Sequence, residues 1–250
     1  MYTLKKSLGQ HFLKDETVCA SIVDTLQANP FTRLLEVGPG GGALTSHLLK
    51  IKEMDFKAIE IDREKVIYLE NRFPEIKGKL IEASILDAEL PFSEPFTMIG
   101  NFPYNISTQI VFKVIEWRDL VELMVGMFQK EVAIRICALP GSKDYGILSV
   151  ITQAFFKAEY LFDVSEGCFN PPPKVKGGVI RLTGIGNPFE IKNFKKFLML
   201  VKTAFGQRRK QLRNPLKPYF KKEILQEEIF TKRAEQLSVQ DFVNLLNKMQ

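Results

Sequence analysis

The sequence predicts a two-domain α/β protein: a nucleotide-binding type domain built on a parallel sheet over residues 1–186, then a small all-helical domain over residues 187–250. Three observations predict it. Short apolar runs alternate with amphipathic helical stretches through the first two-thirds of the chain, the pattern of a sheet covered on both faces. Glycines cluster directly behind the first of those runs. Beyond about Asn187 strand alternation stops and helical periodicity takes over.

In order, Asp15 to Leu26 reads as an amphipathic helix with Val18, Ile22, Val23 and Leu26 on one face. Leu34 to Val37, bounded by Asn29-Pro30 and by glycines, reads as a buried strand, and Ala43 to Leu49 as the helix after it. Lys57 to Ile61 is a second strand, Arg63 to Arg72 a second helix, Lys79 to Ile81 a third strand and Phe96 to Gly100 a fourth, ending at Asn101. Thr108 to Glu116 is helical and Leu120 to Phe128 a further strand. Gly184-Ile185-Gly186-Asn187-Pro188 has the composition of a linker. Helices are expected at Lys192 to Phe205, Lys221 to Gln226, Phe230 to Gln236 and Val239 to Met249.

Composition narrows the function. With 250 residues, 45% hydrophobic and 26% charged, the chain is globular rather than disordered or fibrous. The net charge of +6 fits a nucleic-acid partner without establishing one. Three widely spaced cysteines make neither a disulfide framework nor a metal cluster, and two histidines argue against a His-rich metal site. The expectation is no metal, no membrane span and a cytoplasmic address.

Three segments carry chemistry. Glu36-Val37-Gly38-Pro39-Gly40-Gly41-Gly42 lies between a strand and a helix, where glycines let a ligand approach the backbone. Alone it is an ordinary Gly-rich turn as readily as a binding loop. The second strand ends in Glu60-Ile61-Asp62, about 20 positions on, where an acid can accept from ribose hydroxyls. Glu60 suits that role and Asp62 suits a helix cap. The pair fits a dinucleotide or S-adenosylmethionine. Asn101-Phe102-Pro103-Tyr104 favours the second, because an amide oxygen and a backbone carbonyl can accept the two N–H groups of an exocyclic amine while Tyr104 offers a ring face. A strand-end turn with a packing Tyr is the competing reading. Phe169 reads equally as core or as a second stacking ring. Arg208-Arg209-Lys210 with Arg213 is the densest basic cluster, a phosphate contact or a solvated face with even weight.

These segments, with several others, resemble the ribosomal RNA small-subunit adenine N6,N6-dimethyltransferase family over nearly the whole chain. The resemblance rests on Ser7-Leu8-Gly9-Gln10-His11-Phe12-Leu13, the three segments above, Gln129 to Ala133, Tyr145 to Val150, Phe169 to Val175 and Ala204 to Asn214, all in the family's order. It implies a Rossmann-like methyltransferase domain, S-adenosylmethionine as cofactor, and dimethylation at N6 of two adjacent adenosines in the 3′-terminal hairpin loop of 16S ribosomal RNA. The implied setting is an immature small ribosomal subunit during its biogenesis, met by a monomer. By the same resemblance His11 and Leu13 hold the methionine end of the cofactor, Gly38 and Gly40 let it pass, Glu60 binds its ribose and Asn101 flanks the transferring methyl. Glu82 aligns with an Asp that binds the cofactor adenine, although a shift of one residue brings Ala83 there, with Asp87 a fallback. Phe102 and Tyr104 belong with Asn101 in catalysis, and resemblance tips Phe169 towards stacking and Arg208, Arg209, Lys210 and Arg213 towards RNA. His11, Phe102 and Ile147 stand where the family usually has Asn, Leu and Arg. Two rivals are the related large-subunit methyltransferases and a non-catalytic RNA-binding factor on the same fold.

Overall fold

The computed structural model describes residues 11–26 and 30–249; Lys5, Lys6 and the Ser7 to Gln10 part of the N-terminal motif lie outside them. The chain forms two compact units, one of the residues up to Ala133 with Glu159–Gly184, the other of Ile134–Ala158 with Ile185–Gln250. The linker expected at Gly184 to Pro188 coincides with one border. Residues 134–158 join the second unit, a return of the chain that a single cut after residue 186 does not describe.

The first unit is built on β2 (Arg33–Val37), β3 (Asp55–Glu60), β4 (Leu80–Glu82), β5 (Phe96–Asn101) and β6 (Val121–Gln129), all parallel. Two further strands, β7 (Phe156–Val164) and β9 (Gly177–Gly184), complete a seven-stranded sheet of order β4-β3-β2-β5-β6-β9-β7. A purely parallel sheet is therefore not what forms: β9 runs antiparallel to β6, from Leu123↔Thr183 to Gln129↔Gly177. Leu34, Leu35, Met98, Ile99, Met124 and Val125 are wholly buried, as central strands covered on both faces require.

The flanking helices follow from caps and periodicity. α1 (Glu16–Asp24) starts at Asp15, whose carboxylate accepts from the Thr17 and Val18 N–H groups at 3.0 and 3.1 Å. α2 (Thr45–Leu48) follows the glycine loop, and α3 (Arg63–Arg72) is capped by Asp62, which accepts from Glu64 N–H at 3.2 Å. Asp62 thus takes the capping role its position suggested. α4 (Ser107–Glu116) buries Ile110, Val111, Val114 and Ile115. A two-stranded ladder pairs β1 (Phe12–Leu13) with β8 (Phe169–Asn170), antiparallel, Phe12 opposite Asn170 and Leu13 opposite Phe169.

α5 (Lys130–Cys137) leads from β6 into the second unit, which carries α6 (Ile147–Gln153), α7 (Phe194–Gly206) and α8 (Val239–Lys248). Phe197, Leu200, Val201 and Ala204 give α7 its buried stripe, and a Ser238–Asp241 capping box starts α8. The helices expected at 221–226 and 230–236 are short 3-10 turns instead, including Ile224–Gln226 and Ala234–Gln236. Segments that short do not recover the cost of nucleating an α-helix. Among the described residues no helix is long and apolar enough to cross a membrane.

Candidate functional site

Strand order reverses between β2 and β5: from β2 the chain proceeds outward through β3 and β4, from β5 through β6. Ligands of open α/β sheets bind beyond the carboxyl ends of strands at such a point. A cavity of about 680 Å³ opens there, lined by His11 to Lys14, Glu36 to Leu44, Glu60, Ile61, Ala83 to Leu86 and Asn101 to Ile106. All belong to the first unit.

The glycine loop is fixed from both sides. Gly38 N–H donates to the Ile59 carbonyl at 2.9 Å and Gly40 N–H to Glu60 Oε2 at 3.1 Å. Gly40 has φ +59°, and a Cβ there would lie 2.8 Å from the Phe12 ring, so only glycine fits. Glu60 is 4% exposed, and its other oxygen accepts from Asp62 N–H at 3.0 Å. Each carboxylate oxygen keeps a further lone pair for a ligand hydroxyl. The Phe12 ring in turn lies under the Lys65 ammonium, 4.7 Å from its centroid.

Glu36, behind the loop, is 1% exposed and accepts from Thr45 Oγ1 at 2.7 Å. Burial pushes its carboxyl up to about 8, against the lowering effect of the Thr45 bond, with Glu60 adding to the rise. An ordinary Glu titrates near ~4.3. Between about pH 5 and 8 the folded chain therefore keeps a proton that the unfolded chain has released, and stability falls as pH rises through that window. We expect Glu36→Gln, which stays neutral, to match the wild type near pH 5 and to gain on it towards pH 8, by on the order of 1 kcal/mol per pH unit at most. Thermal melts without cofactor measure this. A difference that is flat with pH would mean that Glu36 is ionised in the folded chain.

At the end of β5, Asn101 Nδ2 donates to the His11 carbonyl at 3.0 Å. Spending the amide N–H this way keeps Oδ1 as an acceptor. Phe102 N–H donates to the Met127 carbonyl at 3.1 Å, and Pro103, lacking an N–H, follows. The Tyr104 ring centroid lies 5.7 Å from that of His11. Its hydroxyl is buried with no hydrogen-bond partner among the described residues, and burial, with the nearby Glu166 charge, pushes it up to about 12. Tyr104 is a neutral aromatic at any physiological pH.

His11, Leu13, Gly38, Gly40, Glu60, Asn101, Phe102 and Tyr104, all singled out in the sequence, thus meet at one cavity. Two expectations need correction. Phe169 is 1% exposed and packs in the core, because alternation along β8 turns it inward and presents Asn170 to the cavity. Glu82 is exposed and absent from the lining, whereas Ala83, whose N–H donates to the Glu60 carbonyl at 3.1 Å, lines the cavity. Asp87 does not line the cavity either. Sequence reasoning also passed over Ile61, which is 54% exposed on the lining, and Ile85 and Asn170. An exposed Ile directly after the ribose-type acid was the available signal.

In the second unit the basic cluster divides. Arg208 bonds to Glu235 at 3.2 Å and to the Ser142 and Lys143 carbonyls at 3.3 and 2.6 Å, so it braces the 142–143 turn. Lysine, a point donor on a flexible stem, would not reproduce that fork, and Arg208→Lys is no neutral exchange. Arg213 is half-buried, with its Nε shielded from solvent, whereas Arg209 and Lys210 are exposed.

A family model described as "Ribosomal RNA adenine dimethylase" matches residues 1–250. Ribosomal RNA small subunit methyltransferase A of Flavobacterium johnsoniae is 50% identical, over 98% of this chain and 95% of its own. The protein of that name from Bacteroides thetaiotaomicron is 49% identical, over 98% and 94%. Among solved structures, a dimethyladenosine transferase from Plasmodium falciparum shares the fold with a TM-score of 0.80 at 24% identity, covering 96% of this chain and 99% of that one. The 23S rRNA methyltransferase ErmE superposes with a TM-score of 0.70 at 25% identity, covering 94% and 99%. The expected α/β methyltransferase fold is borne out, and the chain belongs to the ribosomal RNA adenine dimethylase family.

Proposed function

We propose that this chain dimethylates N6 of two adjacent adenosines in the 3′-terminal hairpin loop of 16S ribosomal RNA, using S-adenosylmethionine, and that it meets this RNA in the immature small subunit, in the cytoplasm, as a monomer. The observation that carries the reading is the Asn101 amide, anchored through its N–H to the His11 carbonyl with its oxygen left as acceptor, beside the Phe102 carbonyl at the switch point. The small-subunit relatives set the choice of RNA.

The residues present fit the cofactor. A cavity of about 680 Å³ is in the range of small-molecule sites, a buried carboxylate faces it, and a Cβ at Gly40 would close the cradle. His11 and Leu13 would hold the methionine end, Gly38 and Gly40 the passage, Glu60 the ribose, and Ile61 with Ala83 the adenine. When bound, the cofactor supplies a sulfonium methyl that is already electrophilic.

The chain's own task is alignment. Adenine N6 is a poor nucleophile because its lone pair is delocalised into the ring. Asn101 Oδ1 and the Phe102 carbonyl accept its two hydrogens, which favours a pyramidal nitrogen with the lone pair directed along the line of attack. Holding two reactants in that geometry lowers the barrier by roughly 7–11 kcal/mol. No side chain need take the proton, which leaves to solvent after transfer. Tyr104 stacks on the extruded base and offsets part of the few kcal/mol of unstacking. Arg209, Lys210 and Arg213 supply phosphate contacts, and Arg208 holds the surface that presents them.

The test is incubation with methyl-labelled cofactor and undermethylated small subunits, then mapping of the label. The expected result is N6,N6-dimethylation of two neighbouring adenosines near the 3′ end. Label in protein-free large-subunit RNA instead, or at another atom, overturns the reading.

A further inference from the structure

Two acceptors must face one amino group, yet only one is a side chain. The Asn101 amide is oriented by its bond to His11. The Phe102 carbonyl has no rotamer of its own, so its direction is set by whatever fixes the Phe102 backbone.

Two glycines supply part of that constraint. Gly100 of β5 and Gly126 of β6 are register partners, side by side in the middle of the sheet. Neither has the positive φ that would call for glycine, and glycine in a strand interior weakens the strand. Close approach explains both. A Cβ at Gly126 would lie 2.2 Å from Cε2 and 2.9 Å from Cδ2 of Phe102, with Met124 Sδ also at 2.9 Å. A Cβ at Gly100 would lie 2.6 Å from Cε1 and 2.9 Å from Cδ1, with the Val37 carbonyl oxygen of β2 equally near at 2.6 Å. The ring is thus the nearest neighbour at Gly126, while Gly100 is also required by the β2 backbone. The two edges of one ring therefore rest on two bare stretches of backbone. Phe128 closes the far side, edge-on at 5.0 Å, and the ring is 1% exposed.

We propose that Gly126, with Gly100, forms a slot for the Phe102 ring, and that Gly126 is a positioning residue for methyl transfer. The ring in its slot and the Phe102 N–H bond to Met127 hold both ends of the residue, and the carbonyl between them and Pro103 keeps one direction. Gly126 itself does not line the cavity. The inference rests on the reading of Asn101 and Phe102 given above.

The test is a double-mutant cycle of Gly126→Ala and Phe102→Leu, reading kcat and KM for methyl transfer to small subunits, cofactor Kd by calorimetry, and thermal melting. A displacement near 1 Å costs on the order of a hundredfold, so Gly126→Ala should lower kcat by about 30-fold or more. Cofactor Kd should stay within about threefold, since no cavity residue is removed. With Leu at position 102, the same Gly126→Ala change should cost less than about threefold, because the ε carbon that would stand 2.2 Å from the new Cβ is gone and the shorter, flexible side chain can yield. Equal losses in both backgrounds, or full kcat in Gly126→Ala alone, would overturn the slot. If Gly126→Ala does not fold, the double variant decides: recovered folding with transfer supports the slot, and no recovery overturns it. Asn101→Ala in the same assay separates the layers. Normal transfer by Asn101→Ala removes the underlying reading, whereas a dead Asn101→Ala beside an additive cycle removes only the slot.

Discussion

Asn101→Ala lowers kcat for methyl transfer by about 10²–10³, the expected loss when one of two preorganised acceptors is removed from the reacting group. The fold should tolerate the change, because Asn101 is the last residue of β5 and the rest of the β5–β6 ladder, from Phe96↔Val121 to Gly100↔Gly126, is paired before it. Cofactor affinity should fall by no more than about tenfold, the part due to releasing the His11 carbonyl from its hydrogen bond. RNA affinity should not change, since the basic residues lie in the other unit. Single-turnover transfer, cofactor calorimetry and filter binding to small subunits read the three quantities. Transfer at the wild-type rate would remove Asn101 from the reacting centre.

Glu60→Gln raises cofactor Kd by about a hundredfold, close to 3 kcal/mol, although Gln has the same shape. The reason lies in the donors around it. Gly40 N–H points at one carboxylate oxygen at 3.1 Å and Asp62 N–H at the other at 3.0 Å. A carboxylate can accept on both sides; an amide must turn its NH₂ towards one of the two N–H groups. With the group 4% exposed, water does not readily relieve that conflict. The glycine loop loses its tie to β3 or α3 loses its entry, and the ribose loses a charged acceptor in either case. Calorimetry with cofactor alone is the measurement. A Kd within about threefold of wild type would mean that the carboxylate does not contact the ligand.

Much of this is legible in the amino-acid sequence. The parallel strands β2, β3, β5 and β6 read as apolar runs because they are the central strands of the sheet, and the glycine loop, Glu60 and Asn101 to Tyr104 are legible because each ends such a run. What escaped depended on single-residue phase or on distant partners. A one-residue shift exchanges Glu82 for Ala83 and Phe169 for Asn170, and composition does not fix phase at the end of a two- or three-residue strand. β7 carries alternation in Phe156, Ala158, Tyr160, Phe162 and Val164, but its place in the sheet depends on β9, which starts with two glycines behind a proline run. Arg208 resembles its neighbours in sequence; its distant partners, Glu235 and the turn at Ser142 and Lys143, separate its role from that of Arg209.

The short ladder of β1 with β8 bears on synthesis as well as on shape. Phe12 lies opposite Asn170, Lys14 N–H donates to the Cys168 carbonyl at 2.9 Å, and His11 Nδ1 is 2.8 Å from the Pro171 carbonyl. One wall of the cavity is thus stitched from pieces some 160 positions apart. A chain emerging from the ribosome has made its glycine loop, Glu60 and Asn101 long before it has made the strand that anchors His11. The pocket is completed only after residues 134–158 of the second unit have also left the tunnel, so a growing chain gains its finished binding wall late.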